Sequence, residues 1–286
     1  MTASSPVGDP EAQRPPSAAT VLKRTAMWVL PAYALLFLPL FVDRLDPGSE
    51  PRVDLTGTVA LVAWLFAESG QTRGVVPIVA VLIVVMVTRP GPSQRTRVAE
   101  VVVLVVVSLL ALYGVKLLND HVVKPTIGVA RPDIVRLADE GVLGMDVDTF
   151  YGLSEASRSE HLESIADETG FGPIVMRTEV RDHWVEETAF SRPSGHALAS
   201  MTLTTLYLSM ALTVLSGWRR WMFYLLVPWA VAVSLSRPIL GVHWPADILI
   251  GAAAGMVVGA LGYLLARFLL LRVEPRAVAT ARPGTR

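Results

Sequence analysis

The clearest stretch for the fold is residues 98–118, VAEVVVLVVVSLLALYGVKLL, in which only Glu100 and Lys116 carry charge. A helix needs about 20 predominantly apolar residues to cross the hydrocarbon core of a bilayer. The backbone groups of such a segment must bond one another, because lipid offers them no partner. This run therefore predicts a transmembrane α-helix.

Further apolar runs lie on both sides of that helix, and together they predict a polytopic membrane protein. They are residues 26–42, 75–88, 196–215, 221–235 and 248–271, with a weaker run at 55–66. The composition agrees, since 52% of the residues are hydrophobic and only 17% are charged, whereas a soluble domain carries about 25% charged residues. The predicted fold class is an all-α bundle of six transmembrane helices in the cell membrane.

Overall charge and cysteine content exclude several classes of function. The 25 basic residues balance 25 acidic ones, so the chain lacks the positive surface that nucleic-acid binding requires. It contains no cysteine, which excludes disulfides, thiolate metal sites and cysteine nucleophiles. The predicted partners are therefore membrane lipids and not nucleic acid.

Basic residues between the runs indicate the orientation, because Lys and Arg accumulate in short cytoplasmic loops. They form four clusters: Lys23 and Arg24; Arg89, Arg95 and Arg97; Arg219 and Arg220; and Arg267, Arg272, Arg276, Arg282 and Arg286. All four clusters fall on one side only if there are six spans with both termini inside. Residues 55–66 are then predicted to lie at the outer interface without crossing the membrane.

The same count divides the chain into five regions. These are a disordered cytoplasmic tail at 1–22, the first three spans at 23–132, an extracytoplasmic loop at 133–190, the last three spans at 191–272 and a second cytoplasmic tail at 273–286. The loop carries 14 acidic residues against four arginines. It is too long and too polar for a simple turn. We therefore predict a small outer cap with some helix, in which His161 and His183 are surface residues.

Gly251, Gly255 and Gly259 recur at four-residue spacing in the last apolar run. Small residues at this spacing let two membrane helices approach closely. Packing against a neighbouring helix of the same chain is the favoured interpretation, and contact across a homodimer is the alternative.

Three polar motifs fall at the predicted outer ends of the third, fourth and sixth spans. They are KPTIGVARP at 124–132, SRPSGH at 191–196 and SRPILGVHWPAD at 236–247. Lys124, Arg131 and Arg237 place three cations near one plane, as a phosphoryl group with developing negative charge requires. A helix that begins at the proline of the second motif directs the N–H groups of Ser194 and Gly195 outward as an anion site.

The third motif also places His243 four residues before Asp247. This carboxylate can accept the imidazole N–H and direct the other nitrogen toward phosphorus, which is the arrangement of a nucleophile and its orienting group. His196 remains as the acid that protonates the leaving oxygen. A single cation at a span end usually only reaches toward the interface, so the prediction rests on the whole set.

In this order and spacing the motifs resemble the signature of the type 2 phosphatidic acid phosphatase superfamily: K-x6-R-P, P-S-G-H and S-R-x5-H-x3-D. The resemblance covers residues 98–271. It implies an integral-membrane phosphatase for a polyprenyl phosphate or diphosphate, phosphatidylglycerol phosphate, phosphatidic acid or a polyprenyl-phospho-sugar phosphate. It also implies that His243 forms a phosphohistidine, which water hydrolyses, and that neither metal nor cofactor is needed. With the predicted orientation, the active site faces the extracytoplasmic side.

Three other functions are open at this point. A phosphotransferase would use the same residues with an alcohol in place of water. Vanadate-dependent oxidation is disfavoured, because an embedded site suits a lipid substrate. A transporter or scramblase that only binds head groups would need the cations but not the paired histidines. Outside the motifs, Lys116, Asp120 and His121 are assigned no role, whereas Arg192 adjoins the site closely enough to contact substrate.

Overall fold

The computed structural model describes residues 16–40 and 54–279, and within these ranges the chain is helical and contains no β-strand. The main helices are α1 (Ala18–Leu35), α2 (Thr58–Gly70), α3 (Thr72–Val87), α4 (Gln94–Ile127), α5 (Pro132–Asp139), α6 (Val147–Gly152), α7 (Glu155–Thr169), α8 (Thr178–Glu186), α9 (Gly195–Val214), α10 (Gly217–Tyr224), α11 (Leu226–Ile239) and α12 (Pro245–Ala279). The predicted all-α class is confirmed.

Within the described ranges, five helical runs are long and apolar enough to cross a membrane. They are Ala18–Leu40, Gln94–Ile127, Gly195–Val214, Gly217–Ile239 and Pro245–Arg272. α2 and α3 supply a sixth if they count as one span, since the two helices meet at a bend of 63°. The polytopic helix bundle is thereby confirmed. The number six and the interfacial position of residues 55–66 stay predictions.

Most helices begin before the apolar runs that predicted them, and at α1 a capping group sets the start. Ser17 caps the first turn of α1 by accepting a backbone N–H bond of 3.2 Å. Residues 18–22, predicted as the end of a disordered tail, are therefore helical. At the other terminus α12 continues to Ala279, through part of the predicted second tail. The remaining residues of the two tails, 1–15 and 280–286, lie outside the described ranges.

α9 forms the centre of the bundle and is buried along almost its whole length. Several of its hydroxyl groups bond to the surrounding helices, as buried polar groups generally do. The hydroxyls of Tyr207 and Ser108 of α4 are 2.8 Å apart, and those of Ser209 and Thr25 of α1 are 2.9 Å apart. These bonds fix the depth of α9 relative to its neighbours, and so fix the level at which its amino-terminal end lies.

α12 packs against α9 along the stripe of glycines that the sequence contains. A Cβ added to Gly251, Gly255 or Gly259 would lie 2.4, 2.4 and 2.6 Å from a backbone carbonyl oxygen of α9 or its N-cap residue. No side chain fits at such distances, so these glycines serve packing within the chain, as favoured from the sequence. A homodimer stays a prediction, and this stripe does not support it.

The acidic segment predicted as an outer cap contains the four helices α5 to α8. Their apolar faces share one core, in which Ile134, Phe150, Leu162 and Trp184 are buried. The same core includes residues of α2 and of the turn between α11 and α12. The segment is thus a folded layer seated beside the third motif. That this end of the bundle is the outer one stays a prediction.

Candidate active site

Two backbone hydrogen bonds bring the three motifs together. The N–H of Ser191 donates to the carbonyl of Val129 (2.8 Å), and the N–H of Ser194 donates to the carbonyl of Asp247 (3.1 Å). The end of α4, the start of α9 and the start of α12 consequently meet at one end of the bundle. α9 and α12 both present their amino-terminal ends, with the free N–H groups and positive dipole end, to this site.

Arg131 and Arg237 converge on one carboxylate, that of Glu187. The Nη1 of Arg131 lies 2.8 Å and the Nη2 of Arg237 lies 2.5 Å from its Oε2. Both guanidinium groups are buried, and Arg131 also donates to the carbonyl oxygens of Ala189 (2.6 Å) and Val242 (3.3 Å). Two guanidinium groups held around one position form a clamp for an anion with several oxygens. We call this pair the arginine clamp.

Lys124, the third predicted cation, lies close to the end of α4. Its Nζ is 3.0 Å from Oδ1 of Asp120, while the Nζ of Lys116 is 2.6 Å from Oδ2 of the same carboxylate. Lys124 and Arg131 line the same cavity. The structure therefore places the lysine beside the arginine clamp, with its charge partly balanced by Asp120.

Ser194 and Gly195 begin α9. The hydroxyl of Ser194 accepts a bond from the N–H of Ala197 (3.5 Å) and so caps the helix. Ser194 is fully buried, whereas Gly195 and His196 line the cavity. The backbone at Gly195 thus lines the cavity at the start of α9, whereas the Ser194 hydroxyl caps the helix and does not line the cavity.

His243 and Asp247, predicted as nucleophile and orienting group, lie together with a serine hydroxyl between them. The Nδ1 of His243 is 3.6 Å from Oδ2 of Asp247. The Oγ of Ser191 is 3.2 Å from that Nδ1 and donates a short hydrogen bond to the same Oδ2. The carboxylate therefore acts on the imidazole largely through Ser191, a residue to which the sequence assigned no role.

Arg192, which adjoins the site in sequence, contacts Asp247 in the structure. Its Nε donates to Oδ1 of the carboxylate (2.7 Å), and the N–H of Trp244 donates to Oδ2 (3.0 Å). With the Ser191 hydroxyl, three donors hold this buried carboxylate. Arg192 is accordingly placed to orient Asp247.

The imidazole of His243 is neutral at pH 7. Burial lowers its pKa to about 3, even though the neighbouring carboxylate of Asp247 acts in the opposite direction. If Nδ1 carries the proton toward Ser191 and Asp247, Nε2 keeps a free lone pair. A neutral imidazole with one free nitrogen is the form that can attack phosphorus.

His196, the predicted acid, lies in the first turn of α9 and lines the cavity. Its Nε2 is 3.9 Å from Oε1 of Glu187. Among the described residues, that nitrogen has no hydrogen-bond partner. It is therefore available to an oxygen of a bound molecule.

Two residues of the acidic segment, Glu187 and His183, belong to the site although no motif contains them. His183, predicted at the surface, is instead buried, and its Nε2 lies 2.7 Å from Nη1 of Arg237. The cause is the amphipathic face of α8, which turns Val180, His183 and Trp184 inward. Glu187 follows at the same three- to four-residue spacing. That helical periodicity is the signal from which both residues could have been placed.

The carboxylate of Glu187 is ionised. Burial opposes its charge, but the guanidinium groups of Arg237 and Arg131 outweigh burial and hold its pKa well below the ordinary value. A carboxylate thus occupies the position between the two arginines that the sequence predicted for oxygens of a phosphoryl group.

Asp133 is a second buried carboxyl close to the arginine clamp, in the first turn of α5. Burial raises its pKa to about 7, although the nearby charge of Arg131 opposes this rise. The carboxyl group of Asp133 therefore titrates near neutral pH. His161, also predicted at the surface, is half-buried, with its Nε2 2.8 Å from the carbonyl oxygen of Leu143.

A cavity of about 860 Å³ extends from the site between α3 and α4. Its polar end includes Lys124, Arg131 and His196. Its apolar walls include Val75, Val76, Val79, Ala80 and Ile83 of α3 and Val105, Leu109, Leu112 and Leu117 of α4. Val76 and Leu109 are exposed on the outside of the bundle, so the cavity reaches the surface that lipid would cover. Its size and lining suit an apolar tail with a polar end.

Comparison with known proteins points to the same part of the chain. The sequence profile of the PAP2 superfamily matches residues 101–270, which contain all three motifs. Phosphatidylglycerophosphatase B of Escherichia coli (strain K12) is 31% identical over 173 residues, which is 59% of this chain. The match spans 62% of the length of that curated relative.

Two other relatives match over shorter segments. Undecaprenyl-diphosphatase of Sulfolobus acidocaldarius is 43% identical over 68 residues, 24% of this chain and 30% of that protein. Lipid A 4'-phosphatase of Bacteroides thetaiotaomicron is 33% identical over 85 residues, 30% of this chain and 35% of that protein. The three relatives are named for three different lipids.

Proposed function

Because the chain belongs to the PAP2 superfamily, we propose that it is a membrane phosphatase that hydrolyses a lipid phosphate or diphosphate through a phosphohistidine. The observation that carries the proposal is the position of the arginine clamp, beside a neutral His243 and at the polar end of an apolar cavity. A clamp alone would serve anion binding. A nucleophile, an orienting carboxylate and a free histidine nitrogen around it favour phosphoryl transfer.

In the proposed first step, Nε2 of His243 attacks phosphorus, so that an N–P bond forms and the bond from phosphorus to the lipid oxygen breaks. The arginine clamp and Lys124 contact the remaining phosphoryl oxygens, whose negative charge they stabilise in the transition state. The N–H at Gly195 contributes from the end of α9. His196 gives its proton to the lipid oxygen as that oxygen leaves.

In the second step water attacks the phosphohistidine. His196, now neutral, accepts a proton from the water, the N–P bond breaks, and inorganic phosphate is released. Ser191 and Asp247 keep the imidazole in one orientation through both steps. A phosphoryl group that enters the arginine clamp takes the place of the Glu187 carboxylate, which therefore has to move away.

We further propose that the site faces the extracytoplasmic side of the cell membrane. α4 begins beside the basic loop at 89–97 and ends at the site, while α9 begins at the site and ends before Arg219 and Arg220. Both basic loops thus lie at the end of the bundle opposite the motifs. Since short basic loops stay in the cytoplasm, the motifs face outward.

The test is release of inorganic phosphate by the purified full chain in detergent. The substrates are polyprenyl diphosphate, polyprenyl phosphate, phosphatidylglycerol phosphate and phosphatidic acid. We expect release from at least one of them, inhibition by orthovanadate, and no effect of EDTA. Folded protein that releases phosphate from none of the four would overturn the proposal. Activity lost in EDTA and restored by a divalent metal would overturn the metal-free reaction.

A phosphotransferase is the alternative, because an alcohol in place of water in the second step would use the same residues. The same assay separates the two when an alcohol such as glycerol is added. Phosphatase activity predicts inorganic phosphate as the main product. Phosphorylated alcohol as the main product would favour the transferase.

A further inference from the structure

A second polar group lines the cavity on the tail side of the arginine clamp, and no motif contains it. Its members are Lys116, Asn119 and Asp120, all on α4. Lys116 precedes Lys124 by eight residues, and Asp120 lies midway between them and contacts both. A substrate with its reacting phosphate in the clamp and its tail between α3 and α4 must pass these side chains.

The charges of this group favour an additional anion. The Oδ1 of Asp120 is 3.0 Å from Nζ of Lys124, and its Oδ2 is 2.6 Å from Nζ of Lys116. Two ammonium groups therefore share one carboxylate, which leaves one positive charge in excess. The side chain of Lys116 is 57% exposed, so it can turn from Asp120 to an oxygen of a bound ligand.

Asn119 supplies an independent observation. It is 3% exposed, and neither its amide oxygen nor its amide nitrogen has a hydrogen-bond partner within the described part of the chain. Its Nδ2 lies 3.8 Å from the position that a Cβ on Gly195 would take, beside the amino-terminal end of α9. A buried amide without a partner is destabilising, and a ligand oxygen in the cavity would satisfy it.

Two π-helical turns in α4, Leu109–Gly114 and Asn119–Val123, keep this group on the cavity side. In a regular helix of 3.6 residues per turn, positions four apart drift around the axis. A π-helical turn contains more residues and offsets that drift. Leu112, Lys116 and Lys124 consequently line one wall of the cavity. Such turns occur frequently at functional sites.

We propose that Lys116 and Asn119 form a second anion subsite, which binds the tail-side phosphate of a lipid that carries two phosphate groups. The inference rests on the proposed function, in which the terminal phosphate lies in the arginine clamp. Lys116 supplies the charge for the second phosphate, and Asn119 supplies an N–H donor. Two kinds of lipid share this chemistry: a polyprenyl diphosphate, and a glycerolipid with one phosphomonoester and one phosphodiester.

The test compares kcat/KM of the full chain in detergent between matched lipids with two phosphates and with one. One pair is polyprenyl diphosphate and polyprenyl phosphate of equal length, and the other is phosphatidylglycerol phosphate and phosphatidic acid. Lys116→Gln and Asn119→Ala should each lower the two-phosphate to one-phosphate ratio ~10-fold. Arg95→Gln, which removes one charge from the other end of α4, should leave the ratio unchanged. The pair whose ratio falls identifies the lipid.

Equal fractional losses on both members of each pair would overturn the inference, because Lys116 would then act only through Asp120 on Lys124. A wild-type chain without phosphatase activity would overturn the proposed function instead. In that case binding decides the subsite, with a lipid bisphosphonate and its matched monophosphonate, neither of which is hydrolysed. Lys116→Gln should weaken binding of the bisphosphonate alone, and an unchanged ratio of the two affinities would overturn the subsite.

Discussion

Three donors hold the carboxylate of Asp247: the hydroxyl of Ser191, the Nε of Arg192 and the N–H of Trp244. A carboxylate bonded in this way cannot rotate toward solvent, and a buried network of this kind restricts the groups that contact it. The imidazole of His243 is one of those groups. The orientation of the proposed nucleophile therefore depends equally on the segment before α9 and on the turn before α12.

The two histidines of the site should respond differently to the leaving group. His243→Ala removes the nucleophile and should abolish turnover of both a lipid phosphate and an aryl phosphate. His196→Ala removes only the acid, whose help is typically worth 10² to 10⁴-fold and is needed by a lipid alkoxide but scarcely by a nitrophenolate. It should therefore lose lipid activity and keep measurable aryl activity. The measurement is kcat/KM of folded variants on both substrates.

Asp247→Asn is the control for that experiment, because it disturbs the orientation of His243 and not the acid. It should impair both substrates alike. Equal fractional losses of His196→Ala on the lipid and the aryl substrate would refute the assignment of His196 as the leaving-group acid.

Glu187 should compete with substrate oxygens for the arginine clamp. Glu187→Gln keeps the shape of the side chain but removes the charge, so the clamp should bind orthovanadate ~10-fold more tightly, the scale of losing one charge-assisted hydrogen bond. The measurement is the inhibition constant of vanadate. Glu186→Gln, one residue away and exposed, is the matched control. A vanadate constant that rises in Glu187→Gln would mean that this carboxylate supports the clamp and does not occupy it.

Asp133 should make stability depend on pH. Its pKa is about 7 in the folded chain against an ordinary 3.8, so the folded chain holds a proton that the unfolded chain releases between these values. The contribution of the Asp133 carboxyl to the free energy of unfolding is complete below pH ~4, and it is lost as the pH rises to ~7. Because asparagine cannot ionise, the melting temperature of Asp133→Asn should rise relative to that of the wild type as the pH increases from ~4 to ~7. Asp139→Asn, exposed on the same helix, is the control for lost charge, and a difference independent of pH would contradict the prediction.

The motif residues were predictable because short-range rules govern them. Serine is a favoured N-cap residue, as Ser194 is for α9, and a histidine and an aspartate four residues apart lie close together along the chain. Glu187 and His183 reach the site by another route, through packing of α8 on a core formed by several segments. No rule based on neighbouring residues predicts which distant segments α8 packs against. The helical spacing of Glu187 and His183 is compatible with an inward face of α8, but it does not identify the groups that this face meets.

At the level of elements, the contact between α9 and α12 determines the relative position of the second and third motifs, because these motifs lie at adjoining ends of the two helices. Their closest approach runs along the glycine stripe of α12. A change of spacing there would move Ser194, to whose N–H the carbonyl of Asp247 is bonded. Packing deep in the bundle is thus coupled to the geometry of the proposed nucleophile.

Gly255→Ala should therefore be destabilising. Its Cβ would lie 2.4 Å from the carbonyl oxygen of Leu198, so the helices must separate, at a cost of about 1–3 kcal/mol for overpacking. The measurement is the melting temperature in detergent. Gly262→Ala is the matched control, since its Cβ would lie 3.5 Å from the nearest side-chain atom, and it should be neutral or stabilising, as Ala is in helices. Equal effects of the two variants would contradict this account of the stripe.

Helix existence was predictable from hydropathy, but helix shape was not. The apolar runs at 98–118 and 75–88 both became helices. Hydropathy does not reveal the two π-helical turns of α4 or the 63° bend between α2 and α3. Both depend on which carbonyl each N–H selects and on what the helix packs against. These features, and not the number of helices, shape the cavity.

At the scale of the whole molecule, the polar ends of the bundle differ. One end holds the three motifs under the acidic segment, and the other holds the basic loops before α4 and after α9. This asymmetry is the basis of the proposed orientation. It was visible in the sequence as arginine clusters, whereas the folding of the acidic segment over the site depends on contacts between distant segments.

The orientation predicts where reporters will be found. A reporter fused after Arg286, or inserted within residues 89–97, should be cytoplasmic, because basic loops are retained inside. A tag near Ser157 should be accessible from outside intact cells. An external reading for the reporter within 89–97 would place the site on the cytoplasmic face and would refute the six-span arrangement.

The cavity between α3 and α4 includes the exposed apolar side chains of Val76 and Leu109, so it reaches the surface that lipid would cover. Under the proposed function, the occupancy of such a site follows the mole fraction of substrate within one leaflet and not its molarity in water. Inert lipid or detergent then acts as a diluent, even at constant substrate per litre. The two products also leave by separate routes. The dephosphorylated lipid diffuses away in two dimensions, while phosphate escapes into the aqueous phase, so accumulation of one does not obstruct departure of the other.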